Sequence, residues 1–355
     1  MEFTEFMCLM VCDALFEKRD RALTADMLKE VLVNWKNITF GRVFIIGGED
    51  IGDYNTVDDQ SFVFKISGGD TYYFGNYPRQ VVHHRATAIN NHEILVTGGY
   101  ISIINRNWGN HSDFKFSTAE CYLFNAWFKQ TGSMITARHG HALVTARDGR
   151  AFVFGGRCIH DGSGWPLDSI EIYNYTTSKW TQSEVSLPMT LEFLLAITLA
   201  DGRILLSGGR DGSHPTCKCI IFDPGTMSLS HCRAMNVPRE NHAGVLMPDG
   251  QVLVVGGENI CGTEATCEMY DPVADTWIHH SSMKHARVGH ACVLMPKYVM
   301  VMGGWNDSRK NQEKVEILML NEDRWKVVNM KTVNRRGATV TVLPQRCGAP
   351  KPGIV

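Results

Sequence analysis

The chain has 355 residues, with 35 basic and 37 acidic side chains and a formal net charge of −2. That balance excludes a global drive toward nucleic acid or anionic membrane. With 44% apolar and 20% charged residues the chain does not read as disordered, and no run reaches the ~20 apolar residues that span a bilayer.

Residues 1–36 read as a short helical extension. Thr24 caps a segment in which Leu28, Val31, Leu32 and Trp35 share a stripe, and the earlier segment from Phe3 to Phe16 is also apolar-periodic. The apolar start lacks a basic flank, so no signal peptide is expected. Eleven cysteines without framework spacing point to reduced thiols and a cytoplasmic or nuclear setting. The sequons at Asn37, Asn110, Asn174 and Asn306 are then chance matches. Cys8 and Cys12 share a helical face but have no further ligands near them, and no metal or cofactor site is expected.

From residue 37 the chain is periodic. A short apolar run ends in a glycine doublet six times: VFIIGG (Gly47, Gly48), ILVTGG (Gly98, Gly99), AFVFGG (Gly155, Gly156), ILLSGG (Gly208, Gly209), VLVVGG (Gly256, Gly257) and VMVMGG (Gly303, Gly304). The doublets lie 51, 57, 53, 48 and 47 residues apart. Each run suits a buried strand. Asp148-Gly149, Asp201-Gly202 and Asp249-Gly250 place a hairpin turn before three of them. After each doublet comes a variable polar loop, then a strand and an aromatic pair: Tyr173 and Trp180, Tyr270 and Trp277, Leu318 and Trp325, with Tyr122 and Trp127 as a shortened version. Four antiparallel strands in about 50 residues, six times over, must be stacked radially to be buried. Rings packing against the Cβ-less doublet would explain the glycines.

These doublets with in-register Tyr and Trp resemble the kelch-repeat β-propeller family. The resemblance implies an all-β, six-bladed propeller over residues 37–344, with residues 345–355 as a tail. Met330 to Pro344 repeats the segment that precedes the sixth doublet, yet no doublet follows. Residues 336–343 are therefore expected to close the first blade. The alternative donor is Val31–Thr39.

The loop between a blade's second and third strands opens on the same face as the link to the next blade. Arg138, Arg239 and Arg287 recur as Met-x-x-x-Arg in those links. Arg85, Arg335 and Arg336 stand in the same region, and Arg157, Arg210, Glu49, Glu258 and Trp305 follow the doublets. Two roles fit: a donor array for carboxylates or phosphates, or anchors of each turn that bond a neighbouring blade's carbonyl or acid. His141, His242 and His290 follow the three link arginines by three residues, and a packing role is expected of them. The loops carrying Trp108 and Trp165 either bind a partner or cover an apolar edge.

Kelch adaptors similar to this repeat bind acidic peptides through arginines. The expected function is therefore a non-enzymatic scaffold or substrate-recognition adaptor that binds a protein or acidic peptide on the arginine-bearing face. Recruitment to a ubiquitin ligase rests on the resemblance alone, because 36 residues cannot hold a BTB domain and show no F-box pattern. The alternative is a propeller enzyme acting on a small sugar or acid, with Glu192, Glu240 and Arg239 as candidates. No nucleic-acid or membrane partner is expected.

Overall fold

The apolar runs before the glycine doublets become strands without an exposed side: ILVT, AFVF, ILLS, VLVV and YVMVM are buried at every position. In the computed structural model these are second strands of four-stranded antiparallel sheets. The structure describes most of residues 81–328, together with strands at 42–46, 62–67, 70–76 and 339–343. The expected helical extension at 1–36 and the tail at 345–355 lie outside the described residues, as do Gly47, Gly48, Glu49, Trp108, Trp127, Arg335 and Arg336.

Five sheets are made from consecutive stretches of chain. From inner to outer strand, blade two is Arg85–Ala88, Ile94–Thr97, Cys121–Phe124 and Phe128–Gln130. Blade three is Ala142–Thr145, Ala151–Phe154, Ile170–Asn174 and Lys179–Gln182. Blade four is Leu195–Thr198, Ile204–Ser207, Cys219–Asp223 and Ser228–Cys232. Blade five is Ala243–Leu246, Val252–Val255, Cys267–Asp271 and Thr276–His280. Blade six is Ala291–Leu294, Tyr298–Met302, Val315–Met319 and Arg324–Val328.

The remaining sheet is assembled from both ends of the propeller. Thr339–Leu343 pairs antiparallel with Arg42–Ile46, matching Val342 to Val43 and Val340 to Ile45, and Phe62–Ser67 and Asp70–Asn76 complete it. The C-terminal segment thus supplies the inner strand of blade one, as its sequence match implied. Each inner strand neighbours the next around the axis, and Thr339–Leu343 neighbours those of blades two and six. The result is a closed all-β propeller.

Aromatic pairs fix the outer strands. Tyr173 and Trp180 stand opposite one another with ring centroids 5.1 Å apart, and Tyr270 and Trp277 with centroids 4.8 Å apart. The indole N–H groups of Trp180, Trp277 and Trp325 donate to the carbonyls of Gly132, Arg233 and Ser281, at 2.9, 2.8 and 2.8 Å. Each ring therefore anchors the outer edge of its neighbouring blade. Blade two differs from expectation. Its facing pair is Phe124 and Phe128, while Tyr122 lies opposite Val96. The turn there is three residues shorter than in blade three, so matching by residue type misplaced Tyr122.

The doublets have a different reason for lacking side chains than the sequence suggested. A Cβ at Gly98 would come within 2.8 Å of His141 Cε1 and 2.9 Å of Met134 Cε. At Gly208 the same intruders are His242 and Met235, at 2.8 and 2.9 Å. The space belongs to the following blade's Met-x-x-x-Arg-x-x-His segment rather than to the Tyr and Trp rings. Blades two, three and five also raise a small hairpin from the loop after the doublet: Tyr100–Asn105 with Ser112–Ser117, Arg157–His160 with Ser163–Pro166, and Glu258–Asn259 with Gly262–Thr263.

Candidate functional site

Sequence reasoning sent all the arginines to one face; the structure divides them. Arg138, Arg239 and Arg287 are 0% exposed and belong to the framework. Each reaches into its own blade. Arg239 donates through Nη1 to the carbonyls of Gly256 (2.7 Å) and Thr266 (3.0 Å), and through Nη2 to Glu268 (2.8 Å). Arg138 meets Gly155 O, Ser169 and Glu171 in the same way, and Arg287 meets Gly303 O, Lys314 O and Glu316. The carboxylates are equally enclosed and turn back on the link. Glu268 accepts the backbone N–H groups of Asn236 and Val237 at 2.7 and 3.1 Å. Glu171 does so for Ile135 and Thr136, and Glu316 for Lys284 and His285. The expectation that these three arginines line a binding mouth is therefore corrected, because fully buried guanidiniums are not available to a ligand; their anchoring partners also lie in their own blade, not in a neighbouring one.

Blades two and four show what replaces this unit. In blade four Leu191 and Ile220 stand at the Arg and Glu positions, and both are buried in one apolar cluster. In blade two the corresponding residues are Val81 and Tyr122, again within one cluster. Pro188 and, in sequence, Pro78 occupy the link position whose N–H the glutamate otherwise accepts. Charge pair and one of the two link donors disappear together, so no buried charge is left without its partner.

The histidines also pack between blades. His141 Nε2 lies 2.7 Å from Thr97 Oγ1, His242 Nε2 lies 3.2 Å from Ser207 Oγ, and His84 Nε2 lies 3.0 Å from the Ile46 carbonyl. Burial lowers His84 to about 4 and His290 to about 3, and pushes His141 and His242 well below the ordinary imidazole value. They are neutral wedges at neutral pH. Among the described residues no cluster of His, Cys, Asp or Glu is placed to hold a metal ion.

The mouth itself rests on a feature absent from the sequence reading. His83, Gly140, Phe193, Asn241 and Gly289, one in each of blades two to six, all have positive φ between 49° and 64°. Each hands its neighbour a hydrogen bond: Gly140 N to His83 O (3.0 Å), Phe193 N to Gly140 O (2.6 Å), Asn241 N to Phe193 O (2.8 Å) and Gly289 N to Asn241 O (3.0 Å). The legible signal was the recurrent Gly-His or Asn-His before the inner strands, since Gly and Asn tolerate the left-handed region best. Aromatic rings gather on this girdle. Phe193 meets His83 edge-on at 5.2 Å, and His83 stacks on Tyr100 at 5.6 Å.

On the rim of blades three to six, the residue after the doublet pairs with the link of its own blade: His139 with Arg157, Glu192 with Arg210, Glu240 with Glu258, and Val288 with Trp305. Their side chains join blade to blade. Arg210 grips Glu240 with two bonds of 2.6 Å, and Arg157 reaches Glu192 at 3.3 Å. Arg157 and Arg210 remain 32% and 34% exposed, while their carboxylate partners are almost enclosed. Burial raises the Glu192 carboxyl against the pull of Arg157; burial, then Glu240, raises Glu258. Arg85 is half-buried on the blade-two inner strand, where burial lowers it to about 10. Trp305 is half-buried at the blade-six rim. Trp165, on the blade-three hairpin, is 49% exposed. The structure thus gathers Arg157, Arg210, Trp165 and Trp305 on the mouth face, and brings Glu192 and Glu240 there without Arg239.

A ring of four-stranded blades, in which blades two to five are each locked by a doublet against the next blade's link, defines a kelch-type propeller. The KLHDC2/KLHL20/DRC7 kelch-repeats domain matches residues 83–304, well over half of the chain, and the chain belongs to this kelch-repeat family. Kelch propellers are in general protein-interaction modules. No curated protein matched the chain.

Proposed function

We propose that this propeller is a scaffold or substrate-recognition adaptor that takes a segment of another protein on its mouth face. One observation carries the reading: apolar and cationic side chains are presented together there. Trp165, Ile135 and Ile260 are 49%, 56% and 80% exposed, and all three lie in links or hairpins on the face that holds Arg157 and Arg210. Exposed aromatics beside guanidiniums are the usual make-up of a protein-binding hot spot. Each guanidinium carries five donors. Arg157 spends two on Glu192 and Gly164, and Arg210 spends three on Glu240 and Ser213, so both keep donors for a carboxylate.

The partner we infer is a protein or peptide with an acidic residue, met by those donors while apolar side chains cover Trp165 and Ile260. No catalytic step, cofactor, nucleic acid or membrane belongs to this reading, which is set in a reducing cytoplasm or nucleus. Affinity capture from cytosolic extract, compared by quantitative mass spectrometry, tests it. The Trp165→Ala/Ile260→Ser variant should lose partners that the wild type retains. Val273→Ser should keep them, because Val273 is 95% exposed at the opposite end of blade five. Loss on Val273→Ser with full retention by the mouth variant would contradict the reading.

A further inference from the structure

In blade four, two thiols face each other across neighbouring strands. Cys219 opens the third strand, Cys232 closes the fourth, and they are direct partners in the antiparallel register. Directly opposed residues in such a ladder have Cα atoms about 4.5 or 5.5 Å apart, and both spacings fall inside the ~4.4–6.8 Å range of a disulfide. The Cys219 thiol donates to the Cys217 carbonyl at 3.5 Å. Cys219 is 3% exposed, whereas Cys232 is only half-buried and reachable from solvent.

We propose that Cys219 and Cys232 form an oxidisable dithiol, in which a low-molecular-weight disulfide converts the pair into a cross-strand bridge on the outer half of blade four. The division of labour follows from the surroundings. The neighbouring Cys219 thiol lowers the Cys232 thiol against the opposing effect of burial, and the Tyr270 hydroxyl of blade five, which itself donates to Asp275 at 2.9 Å, lowers it further. Cys219 is raised by the same thiol contact and by burial. Cys232 is therefore the attacking thiolate and Cys219 the resolving thiol. The Cys232 thiolate attacks one sulfur of the disulfide and expels the other half as a thiolate, leaving a mixed disulfide. Cys219 then gives up its proton and attacks the Cys232 sulfur, expelling the second half. Two protein thiols are oxidised, one disulfide is reduced to two thiols, and the two protons lost by the protein balance them.

The other cysteines supply the contrast. Cys121 and Cys267 are buried and pushed up to about 12 by that burial, and Cys261 is exposed on the blade-five hairpin. Trypsin cleavage after Lys218 and Arg233 releases residues 219–233 with both partners and separates them from Cys217. The full chain is incubated with oxidised glutathione under native conditions, alkylated, digested and mapped. The expected 219–233 peptide is two hydrogens lighter and unalkylated, while Cys261 carries glutathione. In Cys232→Ser, Cys219 should remain alkylatable. A second readout uses the unmodified chain alone: one equivalent of phenylarsine oxide, which bridges paired thiols, should protect both cysteines from alkylation. Full alkylation of Cys219 and Cys232 in either experiment, or a lasting glutathione adduct on Cys232 beside a free Cys219, would overturn the proposal.

Discussion

Two kinds of residue carry the fold, and each makes a separable prediction. Gly208 has φ 57°, and a Cβ there would press on the next blade's Met235 and His242. Gly149 has φ 85° but nothing within 4 Å of its missing Cβ. Gly149→Ala should therefore cost about 1–2 kcal/mol, the left-handed penalty alone. Gly208→Ala should cost clearly more, read from urea midpoints of the two variants. The second kind is the enclosed ion pair. Removing one partner of a buried pair costs about 3–5 kcal/mol, whereas replacing both by apolar groups is often neutral or stabilising. Arg239→Leu alone should thus be strongly destabilising. Asn236→Pro/Arg239→Leu/Glu268→Ile, which copies Pro188, Leu191 and Ile220 of blade four, should recover most of the loss. A triple variant no better than the single one would show that the pair is not a replaceable unit. This unit was half legible in sequence. The arginines recur visibly, but recurrence does not say which way a side chain points. Their partners did leave a trace: Glu268 and Glu316 lie 29 residues after Arg239 and Arg287, and Glu171 lies 33 after Arg138. Blades two and four lack both members together.

At the scale of elements, the second strands and their turns were readable because they satisfy two rules at once. A run buried on both faces must be apolar throughout, and the turns before Ala151, Ile204 and Val252 need a residue that accepts positive φ, as Gly149, Gly202 and Gly250 do. The shortened outer turn of blade two was not readable by type, because Phe124 and Phe128 replace the expected Tyr and Trp. Hairpins after the doublets were read as loops, since their pairing follows from the doublet's geometry more than from their own composition. The closing strand was legible as a repeat without its doublet. Its deletion leaves Arg42–Ile46 with an unpaired inner edge and breaks the hydrogen bond from Ala86 N to Thr339 Oγ1 (3.1 Å) in the neighbouring blade. A chain ending at residue 333 should melt well below the full chain or express insolubly. An unchanged melting curve would refute closure by this strand.

For the molecule as a whole, the interblade histidines couple ring stability to pH. His84 falls to about 4 and His290 to about 3 in the folded state, against about 6.5 in an unfolded chain. A depressed folded value means that the unfolded state binds the proton first. The contribution is thus complete above about pH 6.5 and is lost as pH falls toward 4 and 3. Each such histidine adds a slope of up to about 1.4 kcal/mol per pH unit in that window. The urea midpoint should drop steeply from pH 7 to pH 5, and His290→Leu, which matches Leu194 of blade four, should flatten it. An equally steep profile in that variant would remove His290 from the account. The central claim is the division of the arginines into framework and mouth, and its most direct measurement sets two substitutions side by side. For Arg287→Ala and Arg157→Ala, melting and affinity for a captured partner are recorded on the same preparations. The account predicts that Arg287→Ala lowers the melting temperature sharply, because it strands the buried Glu316. Arg157→Ala, which removes one 3.3 Å contact from a guanidinium that is 32% exposed, should lower melting much less than Arg287→Ala but bind about tenfold or more weakly, the loss of a charge-assisted hydrogen bond of about 1.5–3 kcal/mol. Weakened binding with intact melting in Arg287→Ala, and neither change in Arg157→Ala, would contradict it.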